Sequence, residues 1–226
     1  MKKKLGSALR HAVRDADGVE EKGFSERTAF LKCLEAVYST PGISLNGLSR
    51  RTKLSWGVGK KVSSMCGERG YVEHQEHMGK SGLIPLNRIS DGNKSMLVIL
   101  ADERVSAVIQ GVLFSQGIEK GKLLSSIQGV GEGVFSQILD MGLVSVVKDG
   151  RKSRVFPGPK LEEVHNDLEK HETDLARSTM KKLLKDGFNA SQNVSSRGLL
   201  SISVRTEERA KSGEVKLPIS LSVPYK

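Results

Sequence analysis

The sequence predicts a mainly α protein with small β wings, in which three helices closed by a hairpin occur twice, followed by a long connecting helix and a C-terminal β hairpin. Three observations predict this. The stretch WGVGKKVSSMCGERGYV, from Trp56, matches QGVGEGVFSQILDMGLV, from Gln128, without a gap at an offset of 72. Gly57 meets Gly129, Val58 meets Val130, Gly59 meets Gly131, Val62 meets Val134, Gly70 meets Gly142 and Val72 meets Val144. A match this dense marks one supersecondary unit used twice. Ahead of each copy, apolar residues recur at helical spacing, and behind each glycine the pattern changes to strand, turn and strand.

The first copy occupies residues 25–100. SERTAFLKCLEAVYST, 25–40, places Phe30, Cys33, Leu34, Val37 and Tyr38 on one helical face, with Ser25 as cap and Pro41-Gly42 as stop. SLNGLSRRT, 44–52, is a short helix capped by Ser44. Ser55 caps a third helix, 56–69, with Val58, Val62 and Met65 inward and Gly70 at its left-handed end. YVEHQEH and LIPLNRI are strands around the turn MGKSG. The second copy occupies 101–158. ERVSAVIQGVLFS, 103–115, clusters Val105, Val108, Ile109, Val112 and Leu113. KGKLLSSI, 120–127, is the short helix, and Val130, Val134, Ile138 and Met141 mark the third. LVSVVKDGRKSRVF, 143–156, is a hairpin around Asp149-Gly150, with Lys148, Arg151, Lys152 and Arg154 at its turn.

Pro157-Gly158-Pro159 closes the second copy. Residues 159–188 read as one long helix or two shorter ones, striped by Leu161, Val164, Leu168, Leu175, Thr179 and Leu183, a stripe that packs on its own domain or meets a second copy of the chain. In the tail, 189–226, LLSISVRTE and EVKLPISLSVPY alternate as two strands, and Pro218 and Pro224 keep the last on an edge. Residues 1–24 are a basic, flexible N-terminal arm.

Three helices and a basic hairpin make a winged helix-turn-helix. GERGYVE and LDMGLVSVVKDGRKSRVF resemble the helix end, glycine and wing of bacterial and archaeal winged-helix transcriptional regulators, over residues 25–158 as two tandem copies. The resemblance implies a sequence-specific regulator of double-stranded DNA. The glycine pair at the start of each third helix departs from that family, which places polar readers there. LLSSIQGVGEGVFSQIL also resembles a helix-hairpin-helix, whose GVG turn offers backbone amides to a DNA phosphate. Two other readings stay open: a replication or chromosome-organising factor that binds DNA, and a winged-helix scaffold for protein interactions.

Composition points the same way. Lys and Arg number 36 against 26 Asp and Glu, a net charge of +10, which suits a polyanion partner. The first 100 residues carry 17 basic and 10 acidic residues, whereas 101–158 carry 7 and 6, so the first copy is the stronger DNA binder. Aromatic residues, at 4%, are too few for a binder of single strands built on stacked bases. A nucleotide loop is excluded at GVGKKVSSM, because Leu54 and Lys61 stand where a phosphate loop needs Gly and Ser or Thr, and Val62 where a dinucleotide loop needs Gly. Two cysteines, Cys33 and Cys66, suit a reducing compartment. His74 and His77 lie on opposite faces of a strand, a poor metal geometry. No catalytic set, metal or cofactor is expected, and neither is a signal peptide or membrane span. The expected protein is cytoplasmic, nucleoid-associated and a homodimer.

The candidate DNA contacts are Arg50, Arg51, Lys53, Ser55, Trp56, Lys60, Lys61, Ser63, Ser64 and Lys80 in the first copy, and Lys148, Arg151, Lys152 and Arg154 in the second. The third helix of the first copy is expected to enter the major groove.

Overall fold

A computed structural model describes residues 26–86, 88–208 and 211–220. The expected N-terminal arm, the Ser25 cap and the end of the last strand lie outside the described residues. The first unit contains α1 (Glu26–Ser39), α2 (Leu45–Thr52), α3 (Trp56–Glu68), β1 (Val72–His77), β2 (Lys80–Pro85) and α4 (Asp91–Leu100). The second contains α5 (Glu103–Phe114), β3 (Ile118–Glu119), α6 (Lys120–Ser126), α7 (Glu132–Asp140), β4 (Val144–Asp149) and β5 (Lys152–Pro157). Then come α8 (Pro159–Lys185), β6 (Asn189–Val194), β7 (Leu200–Glu208) and β8 (Lys211–Pro218).

The expectation of a mainly α chain with a C-terminal hairpin is therefore corrected. The protein is mixed α/β, with eight helices and eight strands in three small sheets among the described residues. The tail is a three-stranded antiparallel sheet ordered β6-β7-β8. Its extra strand, β6, reads NASQNV and is exposed at nearly every position, so no apolar alternation announces it. Backbone pairing to β7, from Asn189↔Arg205 to Val194↔Leu200, makes it a strand. Helix α4 is likewise unforeseen. Ser90 caps it by accepting from the Asn93 amide, and it buries Leu97, Val98, Ile99 and Leu100.

The two units repeat one wiring. Ile43 bridges Leu83 in the first, and Ile118 pairs with Val155 in the second, so the segment after each first helix meets the hairpin, as an isolated bridge in one unit and as the short strand β3 in the other. Tyr71 N donates to Cys66 O in one copy and Leu143 N to Ile138 O in the other, at the sequence offset. The first turn, MGKSG by sequence, closes more tightly than expected: β1 and β2 pair through His77↔Lys80, and Met78 and Gly79 both take positive φ, 50° and 72°.

One side of α8 organises the rest. Leu161, Val164, Leu168, Leu175, Ala176, Thr179 and Leu183 are all buried within the chain. The stripe in which the sequence suggests a dimer contact is thus covered by this molecule's own first unit and C-terminal sheet. Asp167 accepts from the Ser90 amide and the Asn93 side chain at 3.0 and 2.8 Å, tying α8 to the start of α4. The sheet lies over α1 and α8. Phe30 stacks on Phe188 at 5.7 Å between ring centres and meets Tyr71 edge-on at 5.3 Å. Tyr38 and Thr179 share a buried hydrogen bond of 2.8 Å.

The units are joined at a polar seam. Asp102 caps α5 and accepts from Lys80 Nζ at 2.8 Å and from the Arg104 amide at 2.9 Å. Burial alone would raise its pKa, but the hydrogen bonds from Arg104 and Lys80 outweigh burial and hold the carboxyl well below the ordinary carboxylate range. At the hairpin tip, Gln137 Nε2 of α7 lies 3.7 Å from Met78 Sδ.

Two outcomes follow for stability. Thr179→Val leaves the Tyr38 hydroxyl buried without its partner, at a cost of about 1–3 kcal/mol. Adding Tyr38→Phe recovers most of that loss, and denaturant titration of the four-member cycle checks it. Asp102→Asn lowers Tm at neutral pH. Because the native carboxyl has the depressed pKa, its stabilisation is complete above the usual range near pH 4 and is lost as pH falls through the lower native value. The Tm gap between wild type and variant therefore closes in acid, as melting curves taken from neutral pH downward would show.

Candidate nucleic-acid interface

Helices α2 and α3 build the candidate surface from local signals. Ser44 accepts from the Gly47 amide at 3.1 Å and Ser55 from the Val58 amide at 3.4 Å, so each helix starts at a side-chain cap. Lys53 closes α2 in the left-handed region at φ 61°, which turns the chain toward α3. Leu48 and Val62 are buried between the helices, leaving Trp56, Gly57, Lys60, Lys61 and Ser64 exposed. Trp56 is 52% exposed, so it is not a core residue, and Lys60 Nζ sits 5.3 Å from its ring centre.

The glycines in this stretch do different things. A Cβ on Gly59 would come within 3.0 Å of Ser49 Oγ, so this glycine lets α2 and α3 approach closely. A Cβ on Gly57 would meet nothing within 4 Å. In the second copy the matching residues lie outside the helix. Gly129 takes φ 77° in a turn, Gly131 is the N-cap, and α7 begins only at Glu132. Helix α7 is therefore four residues shorter than α3, which has 13 against its 9. The turn between α6 and α7 is closed by the Val130 amide on Ile127 O at 3.4 Å. The unit around it ends in the β4–β5 hairpin.

The candidate residues sort by what they already touch. Ser63 is buried at 1% exposure and donates to Lys60 O at 2.9 Å, so it faces the helix core and not a ligand. Lys80 is held by Asp102 at the seam. Arg154 Nε bonds Asp149 at 2.7 Å and its NH1 bonds Gly117 O at 3.1 Å, which makes it a strand-to-strand tie within the second sheet. Burial corrects the assignment of Ser63, whereas Lys80 and Arg154 keep partial exposure and are engaged within the fold. Ser55 serves as a cap, and Ser64 donates to Glu68 at 3.2 Å. Arg50 pairs with Glu103 at 3.1 Å and Lys61 with Glu26 at 3.4 Å on exposed surface, Lys152 pairs with the half-buried Glu119 at 3.1 Å, and Arg51 donates to Thr40. Among the described residues, Lys53, Lys148 and Arg151 make no ion pair, and Lys60 rests on Trp56. At the second wing the β4–β5 turn places Gly150 and Arg151 at its tip, since Asp149 pairs with Lys152.

Other candidate chemistry is quiet. Cys33 and Cys66 are free thiols buried between α1 and α3. Burial, and then the neighbouring Cys33, push the Cys66 thiol up, away from reactive thiolate. His74 is exposed and His77 half-buried, and no group of three metal-binding side chains occurs among the described residues. None of their helices is long and apolar enough to cross a membrane. No protein-family model matches the chain, and no curated protein matches it.

Substitution separates the two glycines. Gly57→Ala should raise stability by up to about 0.5–1 kcal/mol, because it adds helix propensity in open space. Gly59→Ala should lower stability despite the same propensity gain, since Ser49 must move. Denaturant midpoints of the two variants check this, and equal midpoints would remove the packing role of Gly59.

Proposed function

We propose that the chain is a sequence-specific double-stranded DNA-binding regulator with two tandem winged-helix units, in which α3 of the first unit reads the major groove. One observation supports this most: the exposed side of α3 carries Trp56, Lys60, Lys61 and Ser64, and α2 beside it carries Arg50, Arg51 and Lys53. Phosphate contacts from such residues orient a helix on the duplex, and a lysine one turn into the helix has the reach for guanine. The ion pairs on Arg50 and Lys61 are exposed, so phosphate can displace their carboxylates at little cost.

The second unit has a smaller share. Where α3 has Lys60 and Lys61, α7 has Glu132 and Gly133, and Glu132 bonds Lys120 at 2.7 Å. Its contribution is the wing, through Lys148 and Arg151, with Lys152 once it leaves Glu119. Such a protein would associate with the nucleoid in the cytoplasm. The α8 stripe is covered within one chain, which supports binding as a monomer.

The test combines selection from a random duplex pool with salt titration. One asymmetric motif is expected; a palindrome would call for a dimer through another surface, and no motif would point to an architectural DNA-binding role. Lys60→Ala with Lys61→Ala should lower the slope of log affinity against log salt by about two units, since each phosphate contact contributes roughly 0.9. Changing Glu132 to Gln should leave affinity flat or slightly higher. Unchanged affinity and slope in the double lysine variant would remove α3 as the reader.

A further inference from the structure

The seam between the units holds a cleft of about 870 Å³, within the size range of small-ligand sites and at the kind of junction where they occur. Its width comes from the sequence. The start of α2 presents its cap Ser44 and Gly47, and α5 presents Ser106 and Ala107. These small side chains leave a gap where larger apolar ones would have packed α2 onto α5. The floor is apolar, with Ile43 and Leu100 buried beneath it.

Three guanidinium groups line this one cleft: Arg50 and Arg51 from the first unit and Arg104 from the second. Each offers five N–H donors, and their known partners use only some of them. Arg50 meets Glu103 through NH2, Arg51 meets Thr40 through NH1, and Arg104 meets Asp102 through Nε and NH2. Of the two lining carboxylates, Asp102 is taken by Lys80 and Arg104 together. Glu103 stands at the surface with a 79% exposed side chain, so its pair with Arg50 is readily exchanged. The walls therefore hold an excess of forked donors over acceptors, which a ligand rich in anionic oxygens would satisfy.

We propose that this cleft binds a small polyanion, a phosphate ester or a dicarboxylate, between Arg50, Arg51 and Arg104, and that its occupation weakens DNA binding by withdrawing Arg50 and Arg51. The second half of the proposal rests on the DNA-binding role of α2 and α3; the site itself does not.

Melting curves of the full chain in pyrophosphate and, separately, in succinate, each against sodium chloride at equal ionic strength, test the site. A saturable rise in Tm with either probe is expected, and the responding probe names the class. Ser106→Glu, which sets a carboxylate into the cleft and leaves Lys80, Asp102 and Arg104 unsubstituted, should abolish the rise, as should Arg104→Gln. Each variant is first required to keep wild-type helical content and cooperative melting. No rise beyond the chloride control, or a rise that survives in both variants, means an adventitious ion only and overturns the site. Duplex affinity is then measured with and without the responding probe. A loss of about fivefold or more in the wild type, absent in Ser106→Glu, supports the coupling, while unchanged affinity overturns it and leaves the site standing. If no duplex is bound at all, the DNA reading fails, and the melting data still decide the cleft.

Discussion

The burial of one side of α8 is the constraint on which the rest depends. A helix of 27 residues striped with leucine cannot leave that stripe in water, and here it is covered from two directions within one chain. The first unit supplies α4 and, through Tyr38, α1, and the tail supplies its sheet. Each polar tie along α8 then has a fixed place: Asp167 at the start of α4, Thr179 under Tyr38, and Lys182 bonding Gly70 O beneath the Tyr71 ring. Without that cover Phe30 would lose its stacking partner Phe188, and the core behind α3 would open on the side away from the candidate interface.

Because α1 is clamped on its far side, its near side can carry α2 and α3 as a rigid pair. Close approach at Gly59 and the buried Leu48 and Val62 set their relative position. A surface offered to a stiff, regularly spaced polyanion benefits from such rigidity, since a helix that shifts cannot keep phosphate and base contacts together. The seam adds a second constraint. Lys80, Asp102 and Arg104 pin the first hairpin to the junction of the units, and Met78 reaches α7. The first hairpin is thereby a structural element between units more than a free wing.

Electrostatics thin the basic surface. Several of the exposed cations sit opposite carboxylates: Arg50 by Glu103, Lys61 by Glu26, Lys152 by Glu119 and Arg154 by Asp149. The exposed pairs are weak and exchangeable, whereas Arg154 and Lys80 are structural, because their partners also hold strands or a helix start in place. Charge counts along a chain do not distinguish these cases. Distances and burial do.

Read alone, the sequence determined what is local. Helical spacing of apolar residues, serine caps and left-handed glycines specify most helices and both hairpins, because each signal acts within a few residues. The repeat at the offset of 72 was legible for the same reason, as was much of the candidate surface on α2 and α3. Tertiary structure decided what depends on distant partners. Strand β6 exists only because β7 offers it backbone pairing, and α4 fills a place between the first hairpin and α8. Ser63 turns inward and Arg154 toward Gly117, through contacts that no spacing rule contains. The same repeated glycines sit inside α3 but before α7, since the matched residues at 56–59 extend a helix that their partners at 128–131 do not. The α8 stripe shows the division most plainly. Its period predicts an apolar face, and only the folded chain decides that this face meets α1, α4 and the tail sheet and not a second molecule, because burying it internally needs no second chain to be brought from solution.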